Sequence, residues 1–201
     1  MSKGAERIKM DKYEIQHAER TFRHIRRVQD HMLYLIAHHS EKFELSKKDQ
    51  FQLLYNATQH DQSKWQPRQF GPYCDKFVKK IEAPDFGDAW ENHYQKENHH
   101  YQSGRWIGKL ELIEICCDLQ AMADEFKEGS CRGFWGRTWW PDFHKWLNSP
   151  ASEGTDVRRQ MADDYQWHAL LIGRMEDVIS ALECQSYLSH ASPRATPQNG
   201  G

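Results

Sequence analysis

The chain is predicted to be all-α and to fold as a single helical bundle. Apolar residues recur at spacings of three and four, and no segment shows the period-two alternation of a β-strand. At 201 residues the chain is long enough to bury a core without disulfides. We expect one helical domain over residues 1–188, with a core at about 20–126, a Trp-rich helical extension at about 130–188 and a disordered tail at 189–201.

Two long helices are predicted in the first third of the chain. The first runs from about Tyr13 to His38 on an apolar stripe of helical period. The second begins at Ser46, which forms a capping box with Asp49, and ends near Lys64. The positions expected to face inward are Ile15, Phe22, Ile25, Val28, Met32, Leu35, Ile36, Phe51, Leu53, Leu54 and Ala57.

Shorter helices are predicted in the middle and longer ones after it. Gly71-Pro72 is expected to break the chain, which leaves short helices at Tyr73–Ile81 and Phe86–Glu97. Lys109–Phe126 contains neither Gly nor Pro and predicts a long helix, and a last helix is expected at about Asp156–Tyr187. Their expected buried residues are Leu112, Cys116, Leu119, Ala123 and Phe126, then Leu170, Leu171, Met175, Val178, Ile179 and Leu182.

Composition excludes several classes of function. A formal net charge of -2 and a pI of about 6.6 give no basic field for duplex nucleic acid. No run of 18 apolar residues predicts a membrane span. Five cysteines, with Cys116 and Cys117 adjacent, form no disulfide or zinc pattern, so we expect reduced thiols and a cytoplasmic location. The sequence leaves homo-oligomerisation open.

The doublet His60-Asp61 stands at the end of the second helix, in line with Leu53 and Ala57. One turn of chain can therefore offer an imidazole nitrogen and a carboxylate oxygen to the same metal ion. The dipeptide alone is weak evidence, because such pairs also occur by chance. It predicts a metal site only together with other ligands.

Four histidines recur every seven residues on one face of the first helix: His17, His24, His31 and His38. A histidine in an apolar stripe needs a partner, either a metal ion or a hydrogen bond. We expect His31 to be a core residue with a hydrogen-bond partner and the outer two, His17 and His38, to be solvated.

Further candidate ligands lie in the middle of the chain. His93-Tyr94 is followed by Asn98-His99-His100, and Glu114 and Asp118 follow at a spacing of four. The two acids lie opposite the Leu112 stripe, so they form either a solvated acidic face or a pair drawn inward by a cation. If the helix continued past His93, then His93 and His100 would share a face and His99 would not.

Four ordered segments resemble the HD phosphohydrolase superfamily, and in particular an uncharacterised HD-like group found in phage and bacterial genomes. The segments are His24-Ile25-Arg26-Arg27-Val28, His60-Asp61-Gln62-Ser63-Lys64, His93-Tyr94 with Asn98-His99-His100, and Ile113-Glu114-Ile115-Cys116-Cys117-Asp118. The resemblance covers about residues 20–125. A Pro beside the paired histidines is absent here, and nothing after Phe126 matches the pattern.

The resemblance implies a metal site and a location. Its ligands would be His24, His60, Asp61 and Asp118 around one divalent ion such as Mn, Co, Mg, Ni or Fe. Superfamily members with extra histidines hold two metals, and His93 with either His99 or His100 could fill that role here. These histidines could instead bind substrate phosphate or act as general acids. A phage-encoded member would work in the host cytoplasm.

Hydrolysis of a small phosphorylated substrate, with a nucleotide favoured, fits these ligands best, because a metal with an open position activates water and polarises a phosphoryl oxygen. We assign catalytic roles to Lys64, His93, His100 and Glu114 and substrate contacts to Ser63, Asn98, His99, Arg132 and Arg137. Lys64 could instead be a surface lysine. Arg132, Arg137, Trp139 and Trp140 could clamp a phosphate and stack on a base, or the tryptophans could be core. The alternatives to hydrolysis are a dinuclear iron oxygenase and a non-catalytic binding module.

Overall fold

The computed structural model describes residues 9–97, 99–100, 108–128, 130–134 and 173–185. Within these ranges the chain is helical and contains no strand, which confirms the predicted all-α class. The expected helical extension lies outside the described residues except at 130–134 and 173–185, and the expected tail lies outside them entirely. None of the described helices combines the length and the apolarity needed to cross a bilayer.

Helices α1 and α2 form where their capping residues predict them. Helix α1 spans Lys12–His39, and Asp11 caps it by accepting hydrogen bonds from the backbone N–H groups of the first turn. Helix α2 spans Lys47–Gln59 and starts with the predicted Ser46 capping box. It ends earlier than predicted because Asp61 adopts a left-handed conformation (φ 58°), which a continuing helix excludes. A 3₁₀ turn at Gln62–Trp65 follows.

The break predicted at Gly71-Pro72 is wrong. Helix α3 spans Pro67–Cys74 and continues as a π-helical turn at Asp75–Lys79. Pro67 occupies the first turn, where its fixed φ suits a helix and its missing N–H costs nothing. The helix is short and Gly71 is exposed, so any backbone distortion that Pro72 causes lies at the protein surface. Helix α4 spans Phe86–Lys96, close to the prediction.

Helix α5, Lys109–Phe126, has the predicted bounds and lies at the centre of the bundle. It packs against α1, α2 and the short helix α6 (Cys131–Phe134). Burial extends around most of α5, because neighbours cover more than one of its sides. Among the described part of the predicted last helix, residues 173–185 are helical and Met175, Val178, Ile179 and Leu182 are buried as predicted.

Several predicted burial assignments are wrong, and most errors fall at the ends of stripes. Aromatic residues expected inside are exposed at Phe22 (63%), Phe51 (70%) and Phe126 (51%), and Ile15 is exposed as well. A stripe wider than the neighbouring helix can cover leaves its outer residues in solvent. His17, expected to be solvated, is only 2% exposed because α3 packs over it, while His38 is exposed as predicted.

Candidate metal centre

His24 lies at the meeting point of α1 and α5. It is buried on α1, and its Nε2 atom is 3.0 Å from Asp118 Oδ1 and 3.2 Å from Asp61 Oδ2. Asp118 comes from α5, and Asp61 follows α2. The structure therefore brings together three residues that are far apart in sequence, as the resemblance implied.

His60 completes the group from the end of α2. Its Nε2 atom is 3.7 Å from Asp61 Oδ2 and 3.8 Å from Asp118 Oδ1. The left-handed backbone at Asp61 turns its carboxylate back towards the histidines beside it, and both residues are 1% exposed. Backbone strain of this kind tends to occur at functional sites.

The geometry of His24, His60 and Asp118 fits one bound cation, and Asp61 lies beside the two histidines. Ligand atoms about 2.0–2.2 Å from one metal lie about 2.8–3.6 Å from one another, close to the 3.0–3.8 Å found here. Neither ring nitrogen of His24 nor His60 Nε2 has a hydrogen-bond partner among the described residues, although carboxylate oxygens are near. Groups that bind each other align donor to acceptor, whereas ligands of one metal aim their lone pairs at a shared centre. The donor set therefore suits a divalent metal.

The ionised carboxylates of Asp61 and Asp118 also favour a bound cation at this centre. Burial raises the pKa of the Asp61 carboxyl, but the charges of Lys64 and His60 outweigh it and hold the pKa well below the usual value. The pKa of Asp118 is lowered in the same way, chiefly by His24. Burial disfavours protonated His24, yet the charges of Asp118 and Asp61 raise its pKa. Buried carboxylates that stay ionised need positive charge beside them.

Glu114 contacts the Nδ1 side of His60, opposite the nitrogen that faces the candidate metal position. It is buried, and its Oε1 atom accepts a hydrogen bond from His60 Nδ1 at 3.1 Å, while Oε2 accepts one from Asn56 at 3.1 Å. Burial raises the pKa of Glu114, but its contacts with His60 and His99 outweigh this and lower it to about 2. Because His60 Nδ1 is held as the donor, Nε2 keeps its lone pair for a metal. Glu114 therefore acts by positioning His60 and is not the solvated residue that its helix face suggested.

Three more histidines form a second group, and one of them, His93, faces the other oxygen of Asp61. His93 Nε2 is 3.3 Å from Asp61 Oδ1 and 2.9 Å from His100 Nε2. His99 Nδ1 is 3.2 Å from Glu114 Oε1. Ligand atoms of His93, His99 and His100 lie close enough together to hold a second ion, with Asp61 between the two positions.

This second group forms by a different route from the one predicted. Helix α4 ends at Lys96, so His93 and His100 do not share a helix face. They meet because the chain folds back after α4, where the His100 N–H donates to the carbonyl of Glu97 at 3.4 Å. The turn also brings His99 inward, which a continuing helix would not have done.

With this geometry established, comparison with known proteins places the chain. A family model described as a family of unknown function (DUF5662) matches residues 13–155. The chain belongs to DUF5662. No curated protein and no solved structure matches it. The DUF5662 match contains every predicted site residue, and it continues beyond residue 126 through the Trp-rich run.

Ser63 of this DUF5662 protein makes hydrogen bonds to three other residues of the chain. Its backbone N–H donates to Glu97 at 3.0 Å, its hydroxyl donates to Gln69 at 3.3 Å, and His93 Nδ1 lies 2.9 Å from the same hydroxyl. The hydroxyl of Ser63 thus fixes the Nδ1 side of the His93 ring, and the Nε2 atom faces Asp61. Burial lowers the pKa of His93 to about 3, in keeping with a neutral ring. These contacts give Ser63 a supporting position beside His93, and the substrate contact predicted for it stays a prediction.

Lys64 lies inside the site. Its ammonium group pairs with Asp61 Oδ2, the oxygen that also faces His24 and His60, and its side chain is 18% exposed. Lys64 is therefore largely buried beside Asp61, and its catalytic role stays a prediction. A metal bound at Oδ2 would compete with the ammonium group for this oxygen, which leaves Lys64 able to turn towards an anionic substrate.

Two predicted residues of the DUF5662 match lie outside the described residues, and one is bound elsewhere. Asn98 and Arg137 are not described. Arg132 pairs with Glu176 and with Glu183, the latter at 3.2 Å, on the helical stretch 173–185. Two carboxylates hold the guanidinium group of Arg132, and the substrate contact predicted for it stays a prediction.

The prediction for His31 is confirmed. Its Nε2 atom is 2.8 Å from Asp124 and its Nδ1 atom 2.8 Å from Gln185, so hydrogen bonds satisfy this buried ring.

Sequence reasoning missed three buried polar residues: Glu97, Tyr73 and His17. Glu97 can join Asp61 and His93 around an ion. Its spacing of four from His93 was a signal that the sequence did contain. Tyr73 carried no such signal, because only the packing of α3 places it near Asp61.

Proposed function

We propose that this DUF5662 protein is a metal-dependent phosphohydrolase acting on a small phosphorylated molecule, with a nucleotide as the favoured substrate. The observation that carries the proposal is the convergence of His24, His60, Asp61 and Asp118 at 3.0–3.8 Å. Within the described residues, both ring nitrogens of His24 and the Nε2 atom of His60 have no hydrogen-bond partner. A divalent ion held by these ligands lowers the pKa of water and polarises a phosphoryl oxygen. The ordered resemblance to HD phosphohydrolases supports the same reaction class.

The residues around the ligands suit phosphoryl chemistry. Lys64 supplies an ammonium group beside Asp61, where it can neutralise charge on a phosphate. Glu114 fixes the orientation of His60, and Ser63 fixes that of His93. Because these supports are buried, the ligands are held in place before substrate arrives, which is what electrostatic catalysis requires.

A dinuclear iron oxygenase is the second candidate. The observation in its favour is the group of His93, His99 and His100 next to the second oxygen of Asp61. A carboxylate between two groups of histidines suits two ions, and nitrogen and oxygen ligands suit iron. Two irons per chain with oxygen consumption would favour this reading over hydrolysis.

Activity screening tests the proposal. Nucleotides and other phosphomonoesters are incubated with the protein and Mn, Co, Mg, Ni or Fe, and phosphate release is measured against an Asp118→Ala control. The proposal expects at least one substrate and metal for which release depends on Asp118. Equal release from both proteins would overturn it. A protein that binds no metal, and in which His60→Ala and Asp61→Ala change neither metal content nor melting temperature, would be a non-catalytic binding module.

A further inference from the structure

Tyr73 is a buried tyrosine whose hydroxyl has no hydrogen-bond partner among the described residues. It is 3% exposed, and its Oη atom makes no hydrogen bond within the described part of the chain. Its ring is held by aromatic neighbours, with centroids 5.3 Å from Phe86 and 6.0 Å from both Trp90 and His93. The ring is therefore fixed by packing while its polar end is left for something else. Buried hydroxyls without a partner are rare, because losing water costs free energy.

The hydroxyl of Tyr73 belongs to the surroundings of the metal centre. The ring of Tyr73 packs against His93, whose Nε2 atom is 3.3 Å from Asp61 Oδ1. A phenol hydroxyl can donate one hydrogen bond. Lys64 Nζ lies 5.8 Å from the centroid of the Tyr73 ring while it pairs with Asp61. Tyr73 and Lys64 thus border the same side of Asp61.

His17 presents a second unpartnered polar group near Lys64. Both of its ring nitrogens are buried and neither has a hydrogen-bond partner among the residues described. One edge packs against Phe70, with centroids 4.8 Å apart, and Phe70 precedes Tyr73 by one helical turn on α3. Burial, then the positive charges of Arg20 and Lys64, lower the pKa of His17 to about 4. A neutral imidazole keeps one N–H to donate.

We propose that Tyr73, His17 and Lys64 form an anion subsite that holds the phosphate group of the substrate beside the metal centre. This inference rests on the proposed function, since it names the residues that bind the substrate of the same site. All three groups offer hydrogen-bond donors, and Asp61 is the acceptor that Lys64 already contacts. Donors that the protein leaves unsatisfied favour a ligand rich in acceptors, and phosphate oxygens accept several hydrogen bonds at once.

Phosphate binding tests the subsite directly. The protein is saturated with whichever of the five metals raises its melting temperature most, and inorganic phosphate is titrated in by calorimetry. Tyr73→Phe removes one hydroxyl, and His17→Phe removes both ring nitrogens while keeping an aromatic ring against Phe70. We expect each variant to raise the Kd for phosphate about tenfold or more. Tyr34→Phe, a half-buried tyrosine on α1 that packs against the core, is the matched control and should bind like wild type.

Stability and metal binding separate a ligand contact from a structural role. Metal-free Tyr73→Phe should melt at the wild-type temperature or above, because it loses a hydroxyl that has no hydrogen-bond partner in the described part of the chain. Its metal affinity should not change. A lower melting temperature with unchanged phosphate Kd would overturn the subsite and make Tyr73 a structural residue.

The same titration distinguishes this inference from the proposed function. Phosphate binding that weakens in Tyr73→Phe, without phosphate release from any tested substrate, would support the subsite and count against the hydrolase. Asp118-dependent phosphate release with equal phosphate Kd in wild type, Tyr73→Phe and His17→Phe would support the hydrolase and overturn the subsite. Wild-type protein that does not bind inorganic phosphate would also overturn it.

Discussion

Glu114 accepts a hydrogen bond from His60 Nδ1 at 3.1 Å, and the opposite nitrogen of the same ring faces Asp61 and Asp118. The carboxylate thereby sets both the tautomer and the direction of His60, a proposed metal ligand. Supporting contacts of this kind are expected to matter almost as much as the ligands.

Glu114→Ala should therefore weaken metal binding by about 10- to 100-fold. Glu114→Gln should recover part of the loss, because its amide oxygen can still accept from His60. Metal titration by calorimetry measures both variants, with the exposed Glu19→Ala on α1 as the control. Wild-type affinity in Glu114→Ala would show that the orientation of His60 does not depend on this contact.

Added metal should stabilise the protein, because an ion that binds only the folded state shifts the folding equilibrium. At a concentration about 100 times the Kd, the gain is about 2.7 kcal/mol, which raises the melting temperature by roughly 5–10 °C for a domain of this size. His60→Ala and Asp61→Ala should abolish the rise, and a chelator should reverse it in wild type. The exposed His38→Ala is the control. A rise of equal size in all four proteins would place the ion elsewhere.

Acid should destabilise the fold through His17. The pKa of His17 in the folded state is about 4, below the ordinary value of 6.5. As pH falls from about 6.5 to about 4, the unfolded state therefore binds a proton at His17 and the folded state does not. Stability therefore decreases from about pH 6.5 towards 4, with a contribution of about 1–2 kcal/mol by about pH 5. Denaturant unfolding of wild type and His17→Phe at about pH 7.5 and about pH 5 measures this difference. The loss on acidification should be smaller in the variant, and equal losses would contradict the assignment.

Leu53 and Phe51 provide a matched test of the core. Leu53→Ala should cost about 2–5 kcal/mol of unfolding free energy, because the side chain is fully buried between helices. Phe51→Ala on the same helix should change it by less than about 0.5 kcal/mol, since Phe51 is 70% exposed. Chemical denaturation measures both. A large effect at Phe51 would indicate that its ring contacts protein in solution.

Arg132→Ala should leave phosphate release and metal affinity within about twofold of wild type, because Glu176 and Glu183 satisfy its guanidinium group. Stability should fall by at most about 1 kcal/mol, as for other exposed ion pairs. Activity assays and thermal melts measure the two effects. A loss of activity at unchanged stability would restore the substrate contact suggested by the sequence.

Local sequence patterns predicted the helices that have clear start signals. The sequence predicted the start of α2 from the capping box at Ser46 and the bounds of α5 from the uninterrupted run 109–126. Both predictions were possible because capping and periodicity depend only on residues that are close in sequence. The break expected at Gly71-Pro72 was wrong because a short helix with Pro67 in its first turn can continue past Pro72. For the site, the resemblance selected His24 over His31. His31 has the hydrogen-bond partners expected of it, and the role of His24 as a metal ligand stays a prediction.

The sequence by itself determined the helical class, the bounds of α5 and the identity of His24, His60, Asp61 and Asp118 as candidate ligands. Only the tertiary structure decided which polar residues are buried around them. Asp118 and Glu114 looked solvated from their own helix, yet α1 and α2 pack against that helix and turn them into site residues. His17 and Tyr73 entered the site region through the packing of α3, and His99 through the turn after α4. Burial depends on which helices meet, and contacts between residues distant in sequence fix that choice.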